Sequence, residues 1–244
     1  MSIVFKILKR IVALLLGLVV IAVVGVLAWR IMSSDNPRSM ETLYATPKLV
    51  SLYERDGGDM YMIRQNQRSI TSGEDNYGYF SVTDYVIVPE ADQIQATVRY
   101  NNSTLTYVAE DHGLEEPLSR EDDVFDVTLV FAIDLTPENA DDNLENDEES
   151  VRFVRCHGEV VLSEEKNVYN YRRMVFDVDT CGLDLSELLD SDTLLAIYAD
   201  FYYVGAIDYE EAADGTLCLY DFKTEDIRVK LGKRDVRALE EYEE

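Results

Sequence analysis

Nineteen consecutive residues, Ile11–Trp29 (IVALLLGLVVIAVVGVLAW), contain no charged residue and no proline. A helix rises about 1.5 Å per residue and the hydrocarbon core of a bilayer is about 30 Å thick, so a run of this length spans it. In lipid the backbone amides must be satisfied within the segment itself, which makes the run a helix. Arg10 and Arg30 bracket it, and Trp29 sits where an indole favours the interface. Lys6, Lys9 and Arg10 precede the run, whereas the basic residues after it are diluted by Asp35 and Glu41. That bias predicts a single-pass signal-anchor in the cell membrane, with the N-terminus cytosolic and the C-terminal domain outside. The competing reading is a secretory signal peptide cleaved after Val26-Leu27-Ala28, but its apolar region is usually about 7–15 residues long. A core helix would show a polar side, and this one has none.

The expected organisation is a cytosolic stub at 1–10, the anchor at 11–29 and a linker at 30–47 marked by Ser33, Ser34, Asp35, Asn36, Pro37 and Pro47. An extracytoplasmic β domain then fills 48–232, and 233–244 forms a short helix or frayed tail whose terminal glutamates oppose the helix dipole. The net charge is −26, and the only charged residues in 1–30 are basic, so the outer part is more acidic still. Such a domain repels nucleic acid, which is bound through clustered Lys and Arg.

The pattern after the linker is that of strands and turns. Lys48–Glu54 and Met60–Gln65 read as strands about a turn at Asp56-Gly57-Gly58-Asp59. Tyr79–Val88 is apolar and β-branched. In Ile94–Tyr100, Ile94, Ala96, Val98 and Tyr100 alternate with Gln95, Thr97 and Arg99, which predicts a strand with one wet face. Asn101-Asn102 reads as a tight turn into a further strand, Thr104–Val108. Val124–Ile133, Val151–Leu162, Tyr169–Val178, Leu194–Val204 and Leu217–Phe222 are strands, and Ile227–Leu231 is an edge strand with charges on its open face. One capping box stands out, Asp184-Leu185-Ser186-Glu187, starting a helical turn. Regular β–α alternation is absent. The chain is therefore expected to be mainly β, an antiparallel β-sandwich, with a β-barrel as the alternative.

No catalytic signature emerges: there is no GxSxG, HExxH, phosphate-binding glycine loop or dinucleotide fingerprint. The two histidines, His112 and His157, read as structural. His157 follows Cys156 in a strand, so the two side chains point to opposite faces and make a poor nucleophile–base pair. Cys156, Cys181 and Cys218 lack zinc-type spacing; one disulfide can form and the sequence does not choose its pair. The cluster Tyr198, Tyr202, Tyr203 and Tyr209 reads as packing in half-buried strands. Asp177–Gly182 has acids at the first and third positions of a calcium loop, but lacks the oxygen ligand at the fifth and the glutamate at the twelfth. Glu138–Glu149 carries seven acids, and Asp141, Asp142, Glu145 and Asp147 are the candidate metal ligands within it. With no glycine to make a sharp turn, that loop is expected to bind Ca2+ weakly at most.

The runs FSVTDYVIVPEADQIQATVRYNNSTL (Phe80–Leu105) and YNYRRMVFDV (Tyr169–Val178) are similar to uncharacterised single-pass membrane-anchored proteins of Gram-positive bacteria, and the similarity extends through Asp200–Tyr203 and Thr216–Tyr220 to the tail. The resemblance implies a bacterial cell surface and no particular activity. The expectation is a non-enzymatic module that binds a protein partner or a cell-envelope component. The alternatives are an envelope-directed hydrolase using paired carboxylates and an accessory subunit of a membrane complex.

Overall fold

The computed structural model describes residues 3–33, 36–56, 59–64, 70–71, 80–116, 118–135, 151–191, 193–206, 213–221, 228–232 and 235. The chain forms two units that divide after Asn36. The first is helix α1, Ile3–Ser33. Within it Lys9–Trp29 has a mean hydropathy of 3.2 and no buried residue, so by length and composition it can cross a membrane.

The second unit contains strands β1 (Tyr61–Arg64), β2 (Ile70–Thr71), β3 (Phe80–Val88), β4 (Gln93–Asn101), β5 (Phe125–Asp134), β6 (Val151–His157), β7 (Glu159–Lys166), β8 (Tyr169–Asp177), β9 (Leu194–Tyr203), β10 (Gly215–Asp221) and β11 (Arg228–Lys230). It also contains helices α2 (Pro47–Asp56), α3 (Asn102–Asp111) and α4 (Leu185–Asp190). One sheet has the order β11-β1-β3-β4-β8-β7, with β2 paired to β3; the other has the order β10-β9-β5-β6. Every pair is antiparallel, and neither sheet closes on itself, so the sandwich expectation holds and the barrel does not. The inner faces share one core: Phe80 of β3 stacks on Phe201 of β9 with centroids 4.5 Å apart, and meets Phe125 of β5 edge-on at 4.8 Å. Burying such rings is the largest favourable term in a sandwich of this kind.

The outer face of the larger sheet is not wet. Gln93, Gln95 and Thr97 of β4 are 0 % exposed and Arg173 of β8 is 1 % exposed. Residues 37–56, expected to be linker and strand, pack over this face instead, with Leu43 and Leu49 meeting Met62, Val86 and Val88. Backbone carbonyls and amides of this segment hydrogen-bond Gln95 and Arg173, and the Thr46 side chain meets Gln93, whereas Thr97 Oγ1 is buried without a partner among the described residues. Gln95 Nε2 donates to the Tyr44 carbonyl (2.8 Å), and Tyr44 N–H donates to Gln95 Oε1 (2.7 Å). Arg173 donates to the carbonyls of Met40 and Thr42 and pairs with Asp84 at 3.2 Å. The prediction failed because a period of two shows that two faces differ, not which one a later or earlier segment covers.

Three further expectations are corrected. Lys48–Glu54 lies in helix α2, not in a strand. Thr46 Oγ1 accepts from Leu49 N–H (3.2 Å), Pro47 occupies the first turn, and Leu49, Leu52 and Tyr53 recur at helical spacing. The expected turn at Asp56-Gly57-Gly58-Asp59 therefore does not join two strands, since α2 ends at Asp56, and its two glycines lie outside the described residues. Asn101-Asn102 is a helix start, not a hairpin turn. Asn101 is extended (φ −98°), its Oδ1 accepts from Thr104 N–H at 3.0 Å, and Leu105, Val108 and Ala109 form the buried stripe of α3. Val151–Leu162 is two strands, β6 and β7, in different sheets; Gly158 makes the crossing, its N–H donating to Val127 O at 3.0 Å. The Asp184 cap of α4 forms as expected, its carboxylate accepting from Glu187 N–H at 2.9 Å. Most of the 233–244 tail lies outside the described residues.

Candidate functional site: the open face of the four-stranded sheet

Alternation along four strands sorts the smaller sheet's side chains. Val127, Leu129 and Phe131 of β5, Val154 and Cys156 of β6, and Ala199 and Phe201 of β9 enter the core. Cross-strand registers place the intervening residues together on the other face: Val130 lies opposite Arg155 and Tyr198, Thr128 opposite His157 and Asp200, and Asp200 opposite Thr216. This face carries no third layer among the described elements. Phe153 is 63 % exposed, and Thr216 and Cys218 are exposed.

Val130, Phe153, Arg155, Tyr198, Asp200 and Thr216 line a shallow, open depression there. Its polar groups are fixed by one another. Arg155 Nη1 donates to Tyr202 Oη (3.0 Å) and lies 3.6 Å from Asp200 Oδ2. Asp200 also accepts from Thr216 Oγ1 (2.8 Å) and from Tyr202 Oη (3.4 Å). Further along, His157 Nδ1 is 3.1 Å from Thr128 Oγ1 and 3.8 Å from Asp126. An exposed phenylalanine and a half-buried tyrosine beside a pre-positioned arginine form the residue set enriched at the energetic centres of protein interfaces. The flanking strands β6 and β10 are sheet edges, and Arg152 and Arg155 place charges along β6, as edge strands commonly do.

The residues singled out from sequence are scattered. His157 does lie on the face opposite Cys156, as expected from the strand. His112 stands at the C-terminus of α3, with Nε2 2.9 Å from Asp214, whose other oxygen accepts from Tyr203 N–H (2.7 Å); the His112 and Tyr203 rings are 4.9 Å apart. That cluster ties α3 to the strands. Asp177 accepts from Gln93 Nε2 (3.0 Å) and Asp179 pairs with Lys48 (2.7 Å), so the acids of the calcium-like loop are engaged in packing. Asp141, Asp142, Glu145 and Asp147 lie outside the described residues, and among the described residues no group of three or more His, Cys, Asp or Glu is placed to hold a metal ion. Tyr198 and Tyr202 are on the open face, Tyr203 packs against the core, and Tyr209 is outside the described residues. Phe153, Arg155 and Asp200 were not anticipated. Their signal was the alternation Phe153, Arg155, His157 against Val154, Cys156.

Comparison of the chain with protein-family models, curated proteins and solved structures finds no match.

Proposed function

We propose that this chain is a single-pass anchored module of a bacterial cell surface, with the N-terminus in the cytosol and the sandwich outside, that binds a protein partner on the open face of its four-stranded sheet. The observation that carries the reading is Phe153. A phenylalanine 63 % exposed on a strand, beside Val130 and Tyr198 and next to an arginine held by Tyr202 and Asp200, gains by being covered. The depression is open and shallow, which suits a protein surface better than an enclosed small molecule. The orientation rests on the apolar Lys9–Trp29 helix and on Lys6, Lys9 and Arg10. On this face the paired carboxylates of a hydrolase would be Asp126 and Asp200, diagonal neighbours on β5 and β9. Asp200 is engaged by Arg155, Tyr202 and Thr216.

The test compares full-length wild type with Phe153→Ser in native membranes solubilised in mild detergent. Wild type should migrate as a complex larger than the single chain, and Phe153→Ser at the size of the chain alone with its melting temperature unchanged. Equal migration of the two contradicts this site. Protease added to intact cells should degrade the sandwich; protection reverses the orientation.

A further inference from the structure

We infer that Cys156 and Cys181 are a disulfide pair that staples the edge strand β6 to the turn following β8, and so ties the two sheets together beside the Gly158 crossing. Cys156 faces the core, fully buried, and its Sγ lies 3.6 Å from the carbonyl of Asp177, the last residue of β8. Residues Val178–Cys181 then form one tight helical turn, ended by Gly182 in the left-handed region (φ 74°). This turn packs against β6 and brings half-buried Cys181 against the core that contains Cys156.

Topology excludes a bond between Cys156 and Cys218. Cys218 is on β10 and faces outward opposite Tyr198, whereas Cys156 faces inward opposite Leu129. β10 and β6 are the two edges of a four-stranded sheet, three strand spacings or about 14 Å apart. A disulfide requires Cα atoms within roughly 7 Å.

The oxidant is a small-molecule or protein disulfide, RS–SR. The Cys181 thiolate, on the more accessible side, attacks one sulfur of RS–SR, breaks its S–S bond and expels RS⁻. The Cys156 thiolate then attacks Cys181 Sγ in the mixed disulfide, forms the Cys156–Cys181 bond and expels the second RS⁻. The two protons released by the cysteines are taken up, through solvent, by the two expelled RS⁻, so two cysteines are oxidised and one RS–SR is reduced to two thiols. Burial first, and the neighbouring Cys181 thiol second, push the Cys156 thiol well above the ordinary cysteine range. The second step is therefore slow in the closed fold and fast while β6 is open.

The test uses the full chain in detergent micelles, cycled through partial unfolding in a buffer of reduced and oxidised glutathione, then alkylated under denaturing, non-reducing conditions and peptide-mapped. Wild type and Cys218→Ala should yield the Cys156 and Cys181 peptides as one linked species, and Cys181→Ala should yield none. The oxidised wild type should melt roughly 5–10 °C above its reduced form, because the bond closes a long loop, and Cys181→Ala should show no response to reductant. Recovery of alkylated Cys156 and Cys181 from oxidised wild type, or a linked species containing Cys218, overturns the pairing. Neither outcome bears on the partner-binding face, so the two readings fail separately.

Discussion

Replacing Gly158 with alanine tests the corner on which the sandwich is built. A Cβ at this position would lie 2.4 Å from Phe176 Cε1, 2.7 Å from Cζ and 3.0 Å from Cδ1. Phe176 is fully buried in the shared core, so its ring cannot swing into solvent to make room. Overpacking a filled core costs about 1–3 kcal/mol, and contacts this short put Gly158→Ala near the upper figure, about 3 kcal/mol. For a folded unit of this size that lowers the melting temperature by roughly 6–12 °C. Phe176→Leu shortens the side chain at the clash and by itself costs about 1–2 kcal/mol of lost packing. Equilibrium urea unfolding of wild type, both single variants and the double variant gives the coupling. The double variant should be less destabilised than the sum of the singles by at least about 1 kcal/mol. A Gly158→Ala midpoint equal to wild type, or strict additivity with Phe176→Leu, refutes steric exclusion as the reason for glycine here.

Arg173→Met removes the one guanidinium that joins Asp84 to the carbonyls of Met40 and Thr42, leaving buried acceptors without their donor. The expected cost is about 3–5 kcal/mol in urea unfolding, with residues 37–56 losing amide-exchange protection before the strands do; uniform loss of protection across the sandwich contradicts the pinning role. Tyr100 is the pH-sensitive position. Burial, partly offset by Arg172, pushes its phenol up to about 12, and its hydroxyl makes no hydrogen bond. The folded pKa is raised above the unfolded value, so the unfolded chain ionises first and wild type loses stability as pH rises from about 10 through 12, by up to about 2–3 kcal/mol. Tyr100→Phe should match or slightly exceed wild-type stability at neutral pH and should lack this alkaline decline; parallel pH profiles for the two proteins contradict it.

The sandwich was legible because strand periodicity survives in single sequences. β4, β5, β8 and β9 fall where alternation or continuous apolar runs place them. What was not legible depends on contacts far apart in the chain. Gln95 and Arg173 are polar, and the segment from Pro37 to Asp56 lying over them supplies the hydrogen bonds that offset their burial. The two missed helices are short, and their evidence was local and small: Thr46-Pro47 before α2, and Asn101 before α3, where asparagine serves as a cap as readily as a turn. Gly158 within an otherwise strand-like run was the mark of a sheet crossing. The candidate face was half visible. Alternation sets Phe153 and Arg155 apart from Val154 and Cys156, but only the strand order brings Tyr198, Asp200 and Thr216 beside them.

The central claim is that the outer face of β6, β5, β9 and β10 meets a protein partner at the membrane. A photo-activatable phenylalanine analogue placed at Phe153 of the full-length chain, irradiated in native membranes, tests it directly. The same analogue at Tyr61, on the other sheet and 45 % exposed, serves as the control. One discrete crosslinked species is expected from position 153, absent from position 61 and lost when Arg155→Ala is combined with it. No discrete species from position 153, or the same species from both positions, contradicts the account.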